Sequence, residues 1–480
     1  MNYFNNSSSI MRNMFCKHHK FKLITMMLIA IFFLTSGFGC KQGNMDAVND
    51  LKKPIILKYW RVFDSSDSFD DIISSYNQSH PNVNIEYRKL RYDEYEKELL
   101  EAWAEDRGPD IFAIHNTWIG KYARKILAMP ETVKLPYVVS RNKKTKDIEK
   151  ADYQQVKMLS PMDIRNNFAE TIYQDVVRDS QIFGLPLSLD SLALFYNRTM
   201  LDNAQIIKVP STWVEIKEAA KKLTLQNDTG EIVQAGIALG TNNNINRYSD
   251  ILNLLMMQNG TLMTDETGSR ATFNQPSPYA VDKSYRPGQE ALRFYTDFAM
   301  PSKEVYSWNE TMPEASEAFV AARLAMMLGY SYQLPLIRTR GIKLNIGIAE
   351  APHINADGTD ALGSKINFAS YWIETVAKKT AHPDYAWNFL MFAADKEHVI
   401  KYLQKTKKPT ALRSLIETQL EDADIKPFAD QVLTAQSWYR GNDGQATENI
   451  FGEMIDAILK GKNTAEEAMR YAVERINQTF

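Results

Sequence analysis

The chain contains very little cysteine. Its 480 residues include only two cysteines, Cys16 and Cys40, and both lie in the N-terminal segment that precedes the body of the chain. The body can therefore form neither a disulfide framework nor a cysteine-ligated metal site. Stability has to come from packing, and a hydrophobic fraction of 44% supplies ample apolar side chain for large cores.

The chain also lacks a marked excess of charge of either sign. Its formal net charge is −2, and residues 1–39 hold four of its 56 basic residues and none of its 58 acidic ones. Without residues 1–39 the balance is therefore about −6. Proteins that bind nucleic acids usually carry a basic patch or stripe. The composition predicts no nucleic-acid partner.

The signature motifs of common enzyme classes are absent as well. The sequence has no G-x-S-x-G elbow, no H-E-x-x-H, no G-x-G-x-x-G and no Walker loop. The histidines beyond residue 39 are scattered without the spacing of a metal site: His80, His115, His353, His382 and His398. We therefore expect no metal, no cofactor and no catalysis. Because carboxylates are abundant, a glycosidase with two opposed acids stays open as an alternative.

The N-terminus has the pattern of an export signal. Four basic residues precede an apolar run at 23–34, and small residues follow the run before Cys40. This order is typical of a secretory signal peptide, which we assign to residues 1–39. Cys40 directly after Gly39 indicates a lipobox whose thiol carries a lipid, although Gly37 stands where leucine is usual. A freely secreted protein and an uncleaved anchor are the alternatives, and the apolar run is short for a bilayer span.

Behind this leader the pattern predicts a tether and then a folded α/β body. Residues 40–53 are polar and lack apolar periodicity, as a lipid-anchored tether would. Strands and helices are then predicted to alternate: strand 55–60, helix 66–80, strand 83–87, helix 93–104 and strand 110–114. This alternation implies a parallel sheet covered on both faces. Residues 134–158 are rich in charge and weak in period, which predicts an excursion over the surface.

The stretch 183–224 combines a turn, a strand and a capped helix. An Asp-Ser pair at 190–191 precedes an apolar strand, and a Tyr-Asn pair at 196–197 ends it. A capping box, Thr212 with Glu215, begins a helix that has one apolar face. A carboxylate and a hydroxyl before a buried strand, with an aromatic ring and an amide after it, suit recognition of a hydroxyl-rich molecule better than they suit bond breaking.

This stretch resembles the extracellular solute-binding proteins of bacterial sugar ABC importers, the family of the maltose-binding protein. The likeness continues in further segments on both sides: Tyr59-Trp60, His80-Pro81, 108–118, Ala318-Phe319, 325–330 and 386–390. In order and spacing these segments cover residues 54–440. The chain is therefore identified as a member of that family.

The resemblance implies an α/β fold of two lobes with a hinge and a central cleft, as in periplasmic binding proteins. Lobe 1 would take residues 54–190 and 367–415, and lobe 2 residues 191–366 and 416–480. The protein would bind a sugar or oligosaccharide in the cleft, close around it and deliver it unaltered to the permease subunits of an ABC importer. A lipid on Cys40 would hold it, as a monomer, on the outer face of the cytoplasmic membrane, in the periplasm or at the cell surface.

The sheet geometry together with the resemblance selects candidate binding residues in lobe 1. In open parallel sheets, ligands bind beyond the carboxyl ends of strands. Trp60 and Asp64 follow the first predicted strand, and Asn116 and Trp118 follow the third. Aromatic faces stack on sugar rings, and carboxylates and amides bond to hydroxyl groups. Core packing for Trp60 and helix capping for Asp64 are the alternatives.

The same reasoning selects eight candidates further along the chain: Asp190, Asn197, Asn242, Asn243, Trp308, Tyr330, Trp372 and Trp438. In the family, the position of Asp190 often faces the cleft, and that of Tyr330 presents a ring to the sugar. A hinge carboxylate is the alternative for Asp190, and backbone capping is the alternative for Asn197. Asn242 and Asn243 could equally belong to a solvated loop.

Two rival functions stay open at this point. One is a cell-surface sensor or adhesin of the same fold that captures a glycan or peptide. The other is an importer receptor for a glycerol phosphodiester. Phosphate recognition usually requires clustered arginines or a glycine-rich helix start. Four arginines are dispersed in sequence, although folding could assemble some of them: Arg61, Arg247, Arg323 and Arg440.

Overall fold

The computed structural model describes residues 44–145, 147–278, 282–354 and 365–480. The predicted signal peptide and the predicted lipid-bearing Cys40 lie outside the described residues. Within these ranges, no helix has both the length and the apolar character that a bilayer crossing requires.

The strands of the described residues alternate with helices through most of the chain. They are β1 (Ile55–Val62), β2 (Val83–Leu90), β3 (Ile111–His115), β4 (Thr132–Arg141), β5 (Ile148–Lys157), β6 (Val177–Arg178), β7 (Gln181–Ile182), β8 (Leu185–Pro186), β9 (Asp190–Ser191), β10 (Ala193–Asn197), β11 (Leu225–Gln226), β12 (Ile232–Ile237), β13 (Leu324–Gly329), β14 (Ile346–Glu350), β15 (Asn367–Ser370), β16 (Trp372–Val376) and β17 (Ala435–Gln436).

The α-helices of the described residues are α1 (Met45–Asp50), α2 (Asp67–Ser79), α3 (Tyr92–Ala104), α4 (Ile119–Tyr122), α5 (Pro161–Asn167), α6 (Glu170–Val176), α7 (Arg198–Asn203), α8 (Trp213–Leu223), α9 (Tyr248–Gln258), α10 (Pro287–Asp297), α11 (Ala315–Val320), α12 (Leu334–Arg340), α13 (Pro383–Ala393), α14 (Lys396–Thr406), α15 (Ile416–Gln419), α16 (Lys426–Ala429), α17 (Gly444–Leu459) and α18 (Ala465–Ile476).

Residues 44–53 and 136–153 form a compact unit of their own. Ala47, Val48 and Leu51 are buried there with Ala151, and the Asn44 N–H donates to Ala151 O at 2.9 Å. The segment expected to be a featureless tether is therefore helical in α1. Its apolar residues span only one and a half helical turns, which is too short to show a helical period in the sequence. They nevertheless pack against Ala151. The expected excursion at 134–158 is the strand pair β4 and β5.

Residues 54–135 and 154–480 form the second compact unit, which contains both predicted lobes. The sheet of lobe 1 has the order β2-β1-β3-β16-β8. β1 runs parallel to β2 and β3, whereas β16 runs antiparallel to β3 and β8. The sheet is therefore mixed and not wholly parallel as the alternation suggested. The carboxyl ends of β1 and β3 still meet at one edge.

The sheet of lobe 2 has the order β11-β12-β13-β10-β14. β12 is parallel to β13, and β10 is antiparallel to both of its neighbours. Every residue of β10 and β13 is buried. Helix α8 begins with the predicted capping box of Thr212 and Glu215, and it buries Trp213, Ile216 and Leu223. Sequence and structure agree closely in this part of the chain.

A small three-stranded sheet, β17-β15-β9, joins the passages between the lobes. Ala369 pairs with Ser191 in the antiparallel half, and Phe368 pairs with Gln436 in the parallel half. The fully buried Asn367 donates its amide N–H to Leu192 O at 2.8 Å. The predicted end of lobe 1 at residue 415 stays a prediction. The third strand of this small sheet, β17, lies after that residue. These three short strands bring together three distant parts of the chain, and their role as the hinge is a prediction.

We expect Trp308→Ala to lower the free energy of unfolding by about 3 to 5 kcal/mol, because it empties a large buried site. Trp308 has no exposed surface, and its indole N–H donates to Asn244 Oδ1 at 3.0 Å. Urea denaturation measures the loss. Trp308→Phe keeps most of the ring and should lose less. An alanine variant as stable as the wild type would show that the ring contributes nothing to the core.

Candidate functional site

The loop after β1 contains a tight turn that presents one ring. The Asp64 N–H donates to Val62 O at 2.8 Å, so Phe63 is the central residue of a γ-turn, and its φ is 67°. A γ-turn with positive φ is rare and strained, and positive φ is an outlier for a bulky residue. The Phe63 side chain is 50% exposed. The turn therefore holds an apolar ring outside the core of lobe 1.

A buried group of charges fixes the residues on either side of Phe63. The Arg61 guanidinium lies 2.7 Å from Asp64 and 2.9 Å from Glu374, and Lys408 Nζ lies 2.6 Å from Asp64. Burial raises the pKa of Glu374, and the charge of Arg61 opposes that rise. Burial acts in the same direction on Asp64, but Arg61 and Lys408 hold the pKa of that carboxyl below its usual value. These four side chains form the lobe 1 charge cluster.

Aromatic side chains from both lobes meet around Phe63. Its ring centroid lies 5.8 Å from that of Tyr92 in lobe 1 and 6.4 Å from that of Tyr332 in lobe 2, with interplanar angles of 15° and 11°. Trp372 meets the Phe63 ring edge-on at 5.8 Å, and Tyr332 also stacks on Tyr330 at 6.0 Å. Rings arranged in this way offer flat apolar faces to a ligand.

Lobe 2 contributes an arginine whose charge is already compensated. Arg247 Nε and Nη2 donate to the two carboxylate oxygens of Asp250, each at 2.8 Å, and Nη1 donates to Glu448 at 3.2 Å. The Tyr330 hydroxyl donates to Asp250 at 2.7 Å. Burial raises the pKa of Glu448, and the charge of Arg247 opposes the rise. Arg247 therefore offers little free charge to a ligand.

The cavity between the lobes is small, with a volume of about 40 Å³. That space admits only a few water molecules. Its wall is formed by Tyr92, His115, Thr117, Trp118, Arg247, Ser249, Asp250, Asn253, Trp438, Tyr439, Gly444, Gln445, Thr447, Glu448 and Phe451. Two buried atoms of wall residues have no hydrogen-bond partner among the described residues: the donor Trp438 Nε1 and the acceptor Asn253 Oδ1. A hydroxyl group can satisfy either kind of atom.

His115 lies at the carboxyl end of β3 and is neutral. Its ring nitrogens lie 2.8 Å from Thr117 Oγ1 and 3.0 Å from Ser370 Oγ. Burial and the positive charge of Arg247 lower the pKa of His115 to about 3. The histidine therefore contributes hydrogen-bonding capacity to the wall and no charge at neutral pH.

The structure brings four of the predicted binding residues to this cleft. Trp118 and Trp438 line the cavity. Trp372 belongs to the ring group, and its ring centroid lies 5.7 Å from that of Trp118. Tyr330 is fully buried and reaches the wall through its bond to Asp250. These four residues, selected from their positions next to strands, therefore lie close together at the cleft.

Four other predicted residues have their polar or ring surface engaged by the protein. Trp60 is 5% exposed and lies under the guanidinium of Arg88 at 4.7 Å, and Trp308 is fully buried. Asp64 belongs to the lobe 1 charge cluster, and Asn197 caps α7 through its side-chain oxygen. Core packing and capping describe these surroundings. Ligand contact by these four residues stays a prediction that their placement does not favour.

Two predicted asparagines lie in the loop before α9. The Asn242 amide donates to Gly452 O at 2.9 Å, while its side-chain oxygen is buried with no partner among the described residues. Asn243 is exposed. Neither of them belongs to the cavity wall. Their contact with a ligand stays a prediction.

The predicted Asn116 belongs to a polar cluster around the buried Asp175. Asp175 accepts hydrogen bonds from Asn116 Nδ2 at 3.3 Å, the Tyr371 hydroxyl at 2.6 Å and Arg440 Nε at 2.8 Å, and from Ser437 Oγ at 2.7 Å. The Asn116 side-chain oxygen has no partner within the described ranges. The amide is thus half engaged, and its contact with a ligand stays a prediction.

Asp190 lies in the hinge strand β9. Its Oδ1 accepts from the backbone N–H groups of Ser191 at 3.0 Å and Ser331 at 3.2 Å, and its Oδ2 accepts from the Ser331 hydroxyl at 2.7 Å. Burial raises the pKa of Asp190 to about 6, against the effect of these bonds. The hinge role that the sequence left open and ligand contact both stay predictions for Asp190.

The sequence reasoning did not select several residues that the structure places at the cleft, among them Phe63, Tyr92, Arg247, Asn253 and Tyr332. Phe63 directly follows β1, and Tyr92 follows β2 by two residues, so the rule of strand ends contained the signal for both. Tyr332 follows β13 by three residues. Arg247 and Asn253 gave no such signal, because Arg247 is the N-cap residue of α9 and Asn253 is buried within that helix.

We expect the stability of the wild type relative to Asp190→Asn to depend on pH. The pKa of this carboxyl is about 6 in the folded protein against 3.8 as the ordinary value, so the folded state holds the proton more tightly. The group's contribution to stability is therefore full below pH 3.8 and is lost as the pH rises through 6. The relative loss reaches up to about 3 kcal/mol. Urea denaturation of both proteins between about pH 4 and 7 measures it. A difference that does not change with pH would contradict a buried carboxylate at this position.

Comparison with known proteins places the chain in a family. The family model for bacterial extracellular solute-binding proteins matches residues 63–400. The sn-glycerol-3-phosphate-binding periplasmic protein UgpB of Shigella dysenteriae is 24% identical over 331 residues, which are 65% of this chain and 71% of that protein. The maltotriose-binding protein of Pyrococcus abyssi is 21% identical over 343 residues, 70% of this chain and 61% of that protein.

The fold is shared with solved structures. The cyclic alpha-maltosyl-1,6-maltose binding protein of Arthrobacter globiformis superimposes with a TM-score of 0.66 at 18% identity, over 89% of this chain and 99% of that one. This likeness confirms the predicted two-lobe α/β fold, and the family match confirms the resemblance seen in the sequence. The chain belongs to the bacterial extracellular solute-binding protein family.

Proposed function

We propose that this protein is the substrate-binding component of an ABC importer and that it binds a sugar or oligosaccharide between its lobes. The compensated charge of the cleft carries the proposal. Arg247 is bonded to Asp250 and Glu448, and His115 is neutral. Rings and neutral hydrogen-bonding groups remain for the ligand. An uncharged molecule rich in hydroxyl groups matches such a surface.

Membership of an extracellular family makes the protein an exported one. Two relatives are named for maltotriose and for cyclic alpha-maltosyl-1,6-maltose, which supports an oligosaccharide as the ligand. For the contacts we propose the predicted Trp118, Trp372 and Trp438, joined by Tyr92 and Asn253. The unpartnered Trp438 Nε1 and Asn253 Oδ1 would then bond to sugar hydroxyls.

The proposed activity is binding without turnover. A glycosidase needs two carboxyl groups that face each other across the scissile bond. The carboxylates of the cavity wall, Asp250 and Glu448, both belong to the side of Arg247 and are bonded to it. Among the described residues, lobe 1 contributes no carboxylate to this wall. The arrangement supports recognition and not hydrolysis.

Binding requires the lobes to move, because a sugar does not fit in a cavity of about 40 Å³. The hinge sheet of β9, β15 and β17 is short, and it is the natural place for the rotation. A ligand favours the closed state only through contacts that both lobes make with it. Tyr92 and Trp118 on one side, with Asn253 and Trp438 on the other, would supply such contacts.

The delivery partners follow from the same proposal. The closed protein would present itself to the permease subunits of the importer as a monomer. A lipid on Cys40 would hold it at the outer face of the cytoplasmic membrane, in the periplasm or at the cell surface. A sensor or adhesin would use the same cleft, and no feature of the described residues favours it over import.

The second candidate ligand is a glycerol phosphodiester or related phosphate, since one relative is named for sn-glycerol-3-phosphate. A phosphate needs arginine N–H groups that are free to bond to it. Arg247 already uses three of its nitrogens on carboxylates. A bound phosphate would also face Asp250 and Glu448. The electrostatics of the cleft therefore favour the sugar.

We expect a malto-oligosaccharide from maltose to maltotetraose to bind the purified protein with micromolar affinity, which needs about 8 kcal/mol of net binding free energy. We expect sn-glycerol-3-phosphate to bind far more weakly. Titration calorimetry at neutral pH measures both. Tight binding of sn-glycerol-3-phosphate, with no measurable binding of the sugars, would reverse the assignment. Release of shorter glycans during incubation would show that the protein hydrolyses its ligand.

We expect Tyr92→Ala to weaken the binding of the best sugar about three- to tenfold, because a stacking face is lost. Tyr471→Ala is the matched control. The two side chains are exposed to 45% and 46%, and only Tyr92 lines the cavity. Titration calorimetry on both variants distinguishes the loss of a ring in the binding site from the loss of an equally exposed ring elsewhere on the surface. Equal affinity in the two variants would remove Tyr92 from the binding wall.

A further inference from the structure

The backbone of Phe63 is held in a costly conformation. A bulky residue with φ of 67° at the centre of a γ-turn is strained. Such strain persists only where the surroundings impose it, and it concentrates at functional sites. The ring gains no core position in return, because half of its surface is exposed. The conformation therefore calls for a role in the cleft.

The lobe 1 charge cluster imposes this conformation. Arg61 and Asp64, the residues two before and one after Phe63, contact each other at 2.7 Å. Glu374 and Lys408 hold them from the sheet and from the residue stretch after α14, and the Tyr87 hydroxyl donates to Asp64 O at 2.7 Å. Both ends of the turn are therefore fixed, and the Phe63 ring lies half-exposed outside the core of lobe 1. The cluster thus aims an apolar ring at lobe 2.

The Phe63 ring contacts two other rings that belong to different lobes. Its faces meet Tyr92 of lobe 1 and Tyr332 of lobe 2, within 15° of parallel, and Trp372 closes one edge. A six-membered sugar ring has nearly the same size and uses its C–H faces to stack on aromatic rings. Phe63 therefore contacts part of the surface of both tyrosine rings that a sugar would use.

We propose that Phe63 occupies the place of a sugar ring in the cleft without ligand, and that a ligand binds by displacing it from between Tyr92 and Tyr332. This inference rests on the proposed function. Phe63 then sets which ligands enter, because only a molecule that stacks on both tyrosines replaces the contacts it gives up. The ring lowers the affinity of every ligand by competing for the same faces.

The test compares Phe63→Ala and Phe63→Gly with the wild type. Glycine adopts positive φ without penalty, so the second variant keeps the turn while it removes the ring. Leu100→Ala is the control, since Leu100 is an apolar side chain of the same lobe with 47% exposure. We expect both Phe63 variants to bind the best malto-oligosaccharide about two- to tenfold more tightly than the wild type. The control should bind like the wild type.

A second measurement needs no ligand. In small-angle X-ray scattering, the two Phe63 variants without sugar should have a larger radius of gyration than the wild type and the Leu100 variant, because a contact between the lobes is gone. Weaker sugar binding by the variants would overturn the proposal and make Phe63 a binding platform. Unchanged affinity would overturn it too. If neither wild type nor variants bind any sugar, the proposed function itself fails, whereas a failure in the variants alone affects only Phe63.

Discussion

The cleft depends on the neutralisation of arginine inside each lobe. Arg61 is 2% exposed and lies between Asp64 and Glu374, and Arg247 is bonded to Asp250 and Glu448. Burying a charge is unfavourable unless a partner compensates it, and removal of one partner leaves the other uncompensated. Each lobe therefore brings its own counter-ions. The surfaces that meet are left with rings and neutral donors and acceptors, and this composition decides what kind of molecule the cleft can hold.

The hinge adds the second constraint. β9, β15 and β17 come from distant parts of the chain and pair side by side, with Asn367 and Asp190 bonded within or next to them. Since the three strands adjoin, the proposed rotation of the lobes about them would leave both large sheets intact. The rings of Phe63 and Tyr332 lie on opposite sides of the cleft that this rotation opens. The pairing of β9, β15 and β17 and the ring contact between Phe63 and Tyr332 are thus the features that relate the two lobes.

Much of the fold was readable from the sequence, and the binding wall was readable only in part. The capping box at Thr212 and the alternation of β1, α2 and β2 depend on local patterns, which the structure confirms. Whether a side chain at a strand end points into the cleft depends on tertiary contacts. Trp60 is buried while Phe63, three residues later, is half exposed, because Phe63 is the central residue of a γ-turn that the sequence does not predict. Asp64 looked like a ligand for hydroxyls, but its partner Lys408 is far from it in sequence. The bonds of Asp190 to Ser331 were hidden for the same reason.

The cluster around Asp175 has a consequence for how the chain acquires its structure. This carboxylate is 3% exposed, and two of its four partners, Ser437 and Arg440, stand near the end of the chain, while Asn116 and Tyr371 come earlier. A buried acid without its guanidinium is unfavourable. A nascent chain emerging N-terminus first would carry lobe 1 in an incomplete form until residue 440 arrives. Lobe 1 therefore acquires its full set of buried contacts only after residue 440 has been synthesised.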